Sequence, residues 1–218
     1  MTKVTLSRRG VLAGAASAAA LGVFPAPALA ARSRYQETLD MYRKMYRAMP
    51  EERFPIAAVD PLSIESELLR NFTQIETRER PGTVIVDTGT RRLYLVLPEG
   101  RAVRYGIGVG RAGFEWKGRA VIQYKREWPT WTPPAEMIER QPELEPWRNG
   151  MPPGIDNPLG ARALYIFRNG RDTLYRLHGT NEPKSIGLAI SSGCVRLIQQ
   201  DVIDLYNRVP DGSPIVVI

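Results

Sequence analysis

The 218-residue sequence predicts a mainly β domain over residues 81–218, carrying one or two short helices and preceded by a helical extension over 31–80. Three observations carry that prediction. From Pro81 onward, short runs rich in Val, Ile, Leu and Tyr are separated by turn residues, which is how strands and hairpins are spelled. These runs do not alternate with long helical segments, so a parallel α/β sheet is disfavoured. Before residue 80 the apolar spacing is that of a helix.

Residues 1–30 read as an export signal. A short basic region ends in SRRG, the apolar run VLAGAASAAALGVF follows, and Ala28 and Ala30 frame an A-x-A cleavage site. The apolar run is too short and too rich in Ala and Gly for a membrane span. Arg8-Arg9 after Ser7 resembles a twin-arginine signal, although Val11 stands where Phe is usual; an ordinary secretory signal is the alternative. Either route places the protein in the periplasm, with no membrane span after signal removal. In YQETLDMYRKMYRAM, Met41, Met45 and Met49 recur every four residues beside Tyr42 and Tyr46. That stripe either docks on the core or offers a membrane or partner surface. Asp60-Pro61 supplies an N-cap and first-turn proline for a second helix, LSIESELLRNF over 62–72. The tract ETRERPG then links this extension to the main domain.

The strands follow in order. TVIVDT, RRLYLVL and RAVRYGIGVG come first, with PEG as a hairpin loop between the second and third. RAVIQYKREW is another. ALYIF and TLYRLHG flank Asn169-Gly170, a strong hairpin turn. QQDVIDLYNRV is a helix with Ile198, Val202, Leu205 and Val209 on one face, and SPIVVI is a final strand. Between Trp128 and Leu159 lies a long insertion without regular structure, the length of a functional loop. Trp116, Trp128, Trp131 and Trp147 fall in or near it; the rings either cap the domain edge or wall a substrate cleft.

Lys3, Arg8 and Arg9 supply three of the seven net positive charges, leaving +4 for residues 31–218. The basic residues are scattered, with no stripe and no aromatic-basic signature, so nucleic acid is not an expected partner. An anionic polymer such as a cell wall suits the mild surplus. With one cysteine there is no internal disulfide, and none falls in the signal, which argues against a lipid-anchored N-terminus.

That cysteine, Cys194, and the only histidine, His178, lie 16 residues apart in RLHGTNEPKSIGLAISSGCVR. A cysteine that transfers acyl groups needs a base and donors for the oxyanion. His178 ends a predicted strand and Cys194 precedes a predicted helix. Gly179, Gly187 and Gly193 permit a returning loop, and the amides near Gly193 and Cys194 can form an oxyanion hole. A tetrahedral zinc site fails on ligand count. A serine nucleophile at Ser185, Ser191 or Ser192 lacks the G-x-S-x-G elbow. Spacing alone leaves two readings open, a catalytic pair or a structural histidine beside a buried thiol.

His178-Gly179-Thr180, Ser185-Ile186-Gly187 and Ser191-Ser192-Gly193-Cys194-Val195-Arg196, in that order, resemble the active-site signature of the L,D-transpeptidase catalytic domain, the YkuD family. The resemblance runs from VIVDTGTRRLYLVLPEG through NPLGARALYIF to DVIDLYNRVPDGSPIVVI and covers about residues 81–218; it implies a YkuD-type β-sandwich. It further implies that Cys194 is the nucleophile and His178 the general base, with the Gly179 carbonyl orienting the imidazole. It gives Ser192 and Gly193 supporting roles at the oxyanion and in orientation. Arg196 and Ser191 would hold the loop or the substrate. No metal or organic cofactor is implied. The implied partner is a peptidoglycan tetrapeptide stem, cut after its diaminopimelate and joined to another stem through a 3→3 link. An outer-membrane protein or water is the alternative acceptor, and a non-catalytic peptidoglycan-binding module is the alternative from another class. Many family members carry a second histidine where this chain has Ser192, so His178 is the one imidazole available.

Overall fold

The structure, a computed structural model, describes residues 26–110, 117–191 and 194–218. The export signal expected over 1–30 lies outside these residues except for its last five, which open helix α1 (Ala26–Met45). Trp116, Ser192 and Gly193 also lie outside them. Residues 37–218 form one compact unit. Its strands in chain order are β1 (Asn71–Gln74), β2 (Val84–Asp87), β3 (Arg92–Val96), β4 (Arg101–Gly106), β5 (Val109–Gly110) and β6 (Gly118–Glu127). They continue with β7 (Arg162–Arg168), β8 (Arg171–Thr180), β9 (Ala189–Ser191), β10 (Val195–Ile198) and β11 (Ser213–Val217). Helix α2 spans Ala135–Arg140 and α3 spans Gln199–Arg208.

The main sheet runs β1-β4-β3-β2-β11-β6-β7-β8-β10. The last strand in sequence, β11, inserts in the middle, parallel to β2 and antiparallel to β6, and so joins the two halves. Its alternation of buried and half-buried residues is that of a strand with one face in the core. Strands from both halves bury one common cluster: Leu93 and Tyr105 from one side, Leu164, Leu177 and Leu197 from the other, closed by Val202 and Leu205 of α3. The folded sheet therefore encloses its core as a sandwich does. A bridge from Gly108 to Arg196, with both amide–carbonyl contacts at 2.9 Å, ties the end of β4 to β10.

Local sequence explains the turns. The PEG loop places Glu99 and Gly100 at φ 63° and 67°, and the Asn169-Gly170 turn uses φ 52° and 74°, the left-handed pairs that tight hairpins require. RAVRYGIGVG, read as one strand, breaks at Ile107-Gly108 into β4 and β5. The short β5 pairs in parallel with β9.

The helix expected over 62–72 does not form. Asp60 does cap, accepting from Leu62 N–H at 3.0 Å, but only 3₁₀ turns follow at Pro61–Ser63 and Ser66–Leu68. Residues 71–74 then become β1 at the edge of the sheet, paired with β4. Tertiary packing overrides the local pattern: Ile64, Leu68 and Leu69 bury against Tyr46, Ile186 and Ile198. The methionine stripe divides: Met45 and Met49 pack against buried clusters, while Met41 is exposed. The insertion after Trp128 is not wholly irregular, since it holds α2 and a 3₁₀ helix over Pro142–Trp147. Trp128 is buried with Ile56, Ala161 and Ile203, and its Nε1–H donates to Glu52 at 2.9 Å, so that ring is an edge cap. Among the described residues, no helix is long and apolar enough to cross a membrane.

Candidate active site

The parallel pairing of β8 with β10 sets Arg196 opposite His178 and Val195 opposite Leu177. Leu177, Val195 and Leu197 point into the core. By strand alternation His178 and Arg196 face the other side, and Cys194, one residue before β10, stands next to Arg176. The two scarce residues of the sequence are thus brought to neighbouring strands on one face.

His178 is buried, at 6% exposure, and its Nδ1 lies 2.7 Å from the Gly179 carbonyl. A carbonyl can only accept, so Nδ1 carries the proton and Nε2 keeps its lone pair in the neutral ring. Burial pushes the imidazole down to about 4; the Gly179 and Pro158 carbonyls resist that shift and the Arg196 charge adds to it. Cys194 is half-buried and its Sγ lies 3.8 Å from the Leu174 carbonyl. Burial pushes its thiol up, against the pull of the Arg176 amide and guanidinium. At neutral pH the imidazole is therefore neutral and Cys194 is a thiol.

Other residues hold this pair. Gly179 donates its N–H to Leu159 O at 3.1 Å. A Cβ on Gly179 would stand 2.1 Å from Gln199 Oε1, so glycine here leaves the room that the Gln199 side chain fills. Gln199 is buried there, accepting from Ala161 N–H at 2.9 Å and donating to Asn181 Oδ1 at 2.8 Å. Asn157, fully buried, donates to three carbonyls, Pro129, Met151 and Pro152, and so ties the insertion to this end of the sheet. Within the loop from His178 to Cys194, Ser185 Oγ donates to Glu182 O at 2.6 Å and Ile186 anchors in the second core cluster. Gln199 and Asn157 were not singled out from sequence; a buried amide carries no motif.

Arg196 is 9% exposed, and its Nη1 is 3.8 Å from the exposed Glu182 carboxylate. Its Nε and Nη2 have no hydrogen-bond partner among the described residues. Burial lowers the pKa of this guanidinium. A Cβ on Gly108 would come 2.9 Å from Ser185 O and 3.2 Å from Nη2, so that glycine makes room for both. Ser191 lies in β9, beside β5. A cleft of about 590 Å³ adjoins the loop, lined by Val59, Asp60, Ser63, Glu182, Lys184 and Leu188 among others; His178 and Cys194 are not part of its lining.

The sheet thus sets the one histidine on β8 and the one cysteine at the entry to the adjacent parallel strand β10. Residues 81–217 match the L,D-transpeptidase catalytic domain, YkuD, and the chain belongs to that family. The probable L,D-transpeptidase ErfK/SrfK of Escherichia coli K12 is 38% identical over 139 residues, 62% of this chain and 43% of that protein. The probable L,D-transpeptidase YbiS of the same strain is 38% identical over 137 residues, 60% of this chain and 42% of that protein. The match spans less than half the length of these two relatives. A crystal structure from Brucella melitensis, described as a probable carnitine operon oxidoreductase, is 46% identical, covers 73% of this chain and 99% of its own, and superposes with a TM-score of 0.50.

Proposed function

We propose that this protein is a periplasmic L,D-transpeptidase that forms 3→3 cross-links between peptidoglycan stems. The observation that carries the reading is the held tautomer: His178 Nδ1–H is fixed on Gly179 O, which leaves Nε2 as a base on the strand beside Cys194. Cys194 Sγ attacks the carbonyl between the L-centre of diaminopimelate and D-Ala, and Nε2 takes the thiol proton. Collapse of the tetrahedral adduct breaks the C–N bond; His178 returns the proton to the departing D-Ala amine, and a thioester remains. The side-chain amine of a second stem attacks that thioester, loses a proton to His178 and restores the thiol. In this reading the Gly193 and Cys194 amides receive the oxyanion, with Ser191 and Ser192 shaping the loop, and Arg196 meets a substrate carboxylate, since its two unoccupied N–H positions suit a bidentate partner. No metal or organic cofactor is invoked. Residues 1–30 serve as a signal, of twin-arginine type, and 81–218 as the catalytic domain; the extension over 31–80 is helical only in α1, and its end, β1, joins the main sheet.

The oxidoreductase description of the Brucella melitensis structure is not carried over.

The test is incubation with diaminopimelate-type tetrapeptide muropeptides, wild type beside Cys194→Ala, analysed by mass spectrometry. Dimers and released D-Ala from wild type alone support the reading. D-Ala release without dimers points to water or a protein, such as one of the outer membrane, as acceptor. Neither product removes the reading.

A further inference from the structure

Strand β8 is irregular on its way to His178. Tyr165 faces Arg176 and Phe167 faces Asp172, so two steps along β7 match four along β8. The extra residues form a bulge, a device that re-aims groups beside functional sites. Within it Leu174 adopts φ 63°, a left-handed conformation that a leucine disfavours. Its side chain is 71% exposed, so burial of that side chain does not force the backbone there.

Asp172 does. Its Oδ1 accepts from Leu174 N–H at 2.8 Å, and its two oxygens take Arg176 Nη1 and Nη2 at 2.7 Å each. Burial pushes this carboxyl up, but Arg176 and the Leu174 amide outweigh it and hold it below the ordinary range, so the clamp is charged at neutral pH. Arg176 also lies over the Tyr165 ring at 4.2 Å, and Tyr165 stacks on Tyr124 at 4.4 Å. The outcome of this bracing is a carbonyl, Leu174 O, turned to within 3.8 Å of Cys194 Sγ.

We propose that Asp172 is a positioning residue for the nucleophile: it fixes the bulge whose Leu174 carbonyl receives the Cys194 S–H at rest and so sets where the sulfur points. The inference rests on Cys194 being the nucleophile. Backbone strain held at a functional site is stabilised by the surroundings, here by one carboxylate. When substrate arrives, the thiol leaves this carbonyl and gives its proton to His178.

The single cysteine makes the S–H stretching band of the protein unique to Cys194. Raman spectra of the wild type should show that band at the lowered frequency of a hydrogen-bonded thiol. Asp172→Ala should move it toward the value of a thiol in water, and Asp172→Asn, whose Oδ1 can still cap Leu174, should restore it. Leu174→Val should shift the band too, because a β-branched residue resists φ 63°, and Leu174→Gly should reverse the shift. Acylation kcat should fall about tenfold in Asp172→Ala, with KM within about twofold. An unmoved band, or a loss confined to the thermal midpoint, overturns the proposal. If Asp172→Ala does not fold, Asp172→Asn and Leu174→Val still decide. A wild type inactive on muropeptides would remove the transpeptidase reading, while the band would continue to test the clamp.

Discussion

At the scale of single residues, the site is set by which protonation states burial allows. His178 held down to about 4 is neutral across the physiological range, and Cys194, pushed up by burial, is a thiol there. Reactivity toward a neutral alkylating agent should therefore have no plateau at mildly acidic pH. We expect inactivation by iodoacetamide to climb steadily as pH rises through neutrality toward the raised pKa of the thiol. On the proposed reading, in which the imidazole is the base, His178→Ala should slow it near pH 7. A flat rate between about pH 5 and 7 would show a preformed thiolate–imidazolium pair and sink this account. His178 and Cys194 stood out in the sequence because both are scarce, but their spacing left a catalytic and a structural reading open, and the family resemblance is what assigned them roles. Arg176 and Asp172 did not stand out, since an Asp and an Arg four apart in a strand look like solvated charges until the bulge brings them together.

At the scale of elements, hairpins read well from sequence because Asn-Gly and Glu-Gly turns need left-handed φ values that few residues supply. The segment over 62–72 did not, because apolar Leu and Ile at mixed spacing fit a helix until a sheet edge competes for them. That competition has a visible contact. Gly106, the last residue of β4, lies so close to the chain at Leu68 that an added Cβ would be 2.3 Å from Leu68 O and 2.7 Å from its Cβ. Backbone cannot yield as a side chain can. Gly106→Ala should therefore destabilise the fold by about 1–3 kcal/mol, as overpacking does. Urea unfolding is the measurement, with Gly154→Ala as the comparison. A Cβ on Gly154 meets nothing within 4 Å, so that change should stay within about 0.5 kcal/mol. Equal losses in the two variants would mean that the 61–70 segment does not pack on β4 in solution.

At the scale of the molecule, the residues before 81 are bound to the catalytic domain by a buried polar network that no linear pattern announces. Tyr46, fully buried, donates its hydroxyl to Asp201 at 3.1 Å and accepts from Arg70 N–H at 2.7 Å. Arg70 pairs with Asp204 at 3.0 Å and approaches Asp201 at 3.6 Å. Burial dominates at Asp201 and raises it to about 7, against the pull of Arg70. Between about 4 and 7 the folded protein thus holds a proton on Asp201 that the unfolded chain releases, and stability falls as pH rises through that window. His178 does the opposite. Its folded value near 4 lies below the ordinary 6.5, so between these limits the unfolded chain binds the extra proton and stability rises with pH. Each effect is on the order of 3 kcal/mol by linkage, and they have opposite signs over nearly the same range. The wild type should therefore show a shallower pH dependence of its unfolding free energy from about pH 4.5 to 7 than a variant lacking either group. Asp201→Asn should unmask the histidine, giving a protein that gains stability as pH rises. His178→Gln should unmask the aspartate, giving one that loses it. Urea titrations of the three proteins at both ends of the window decide the matter, and parallel pH profiles would show that the two buried groups do not titrate in opposition.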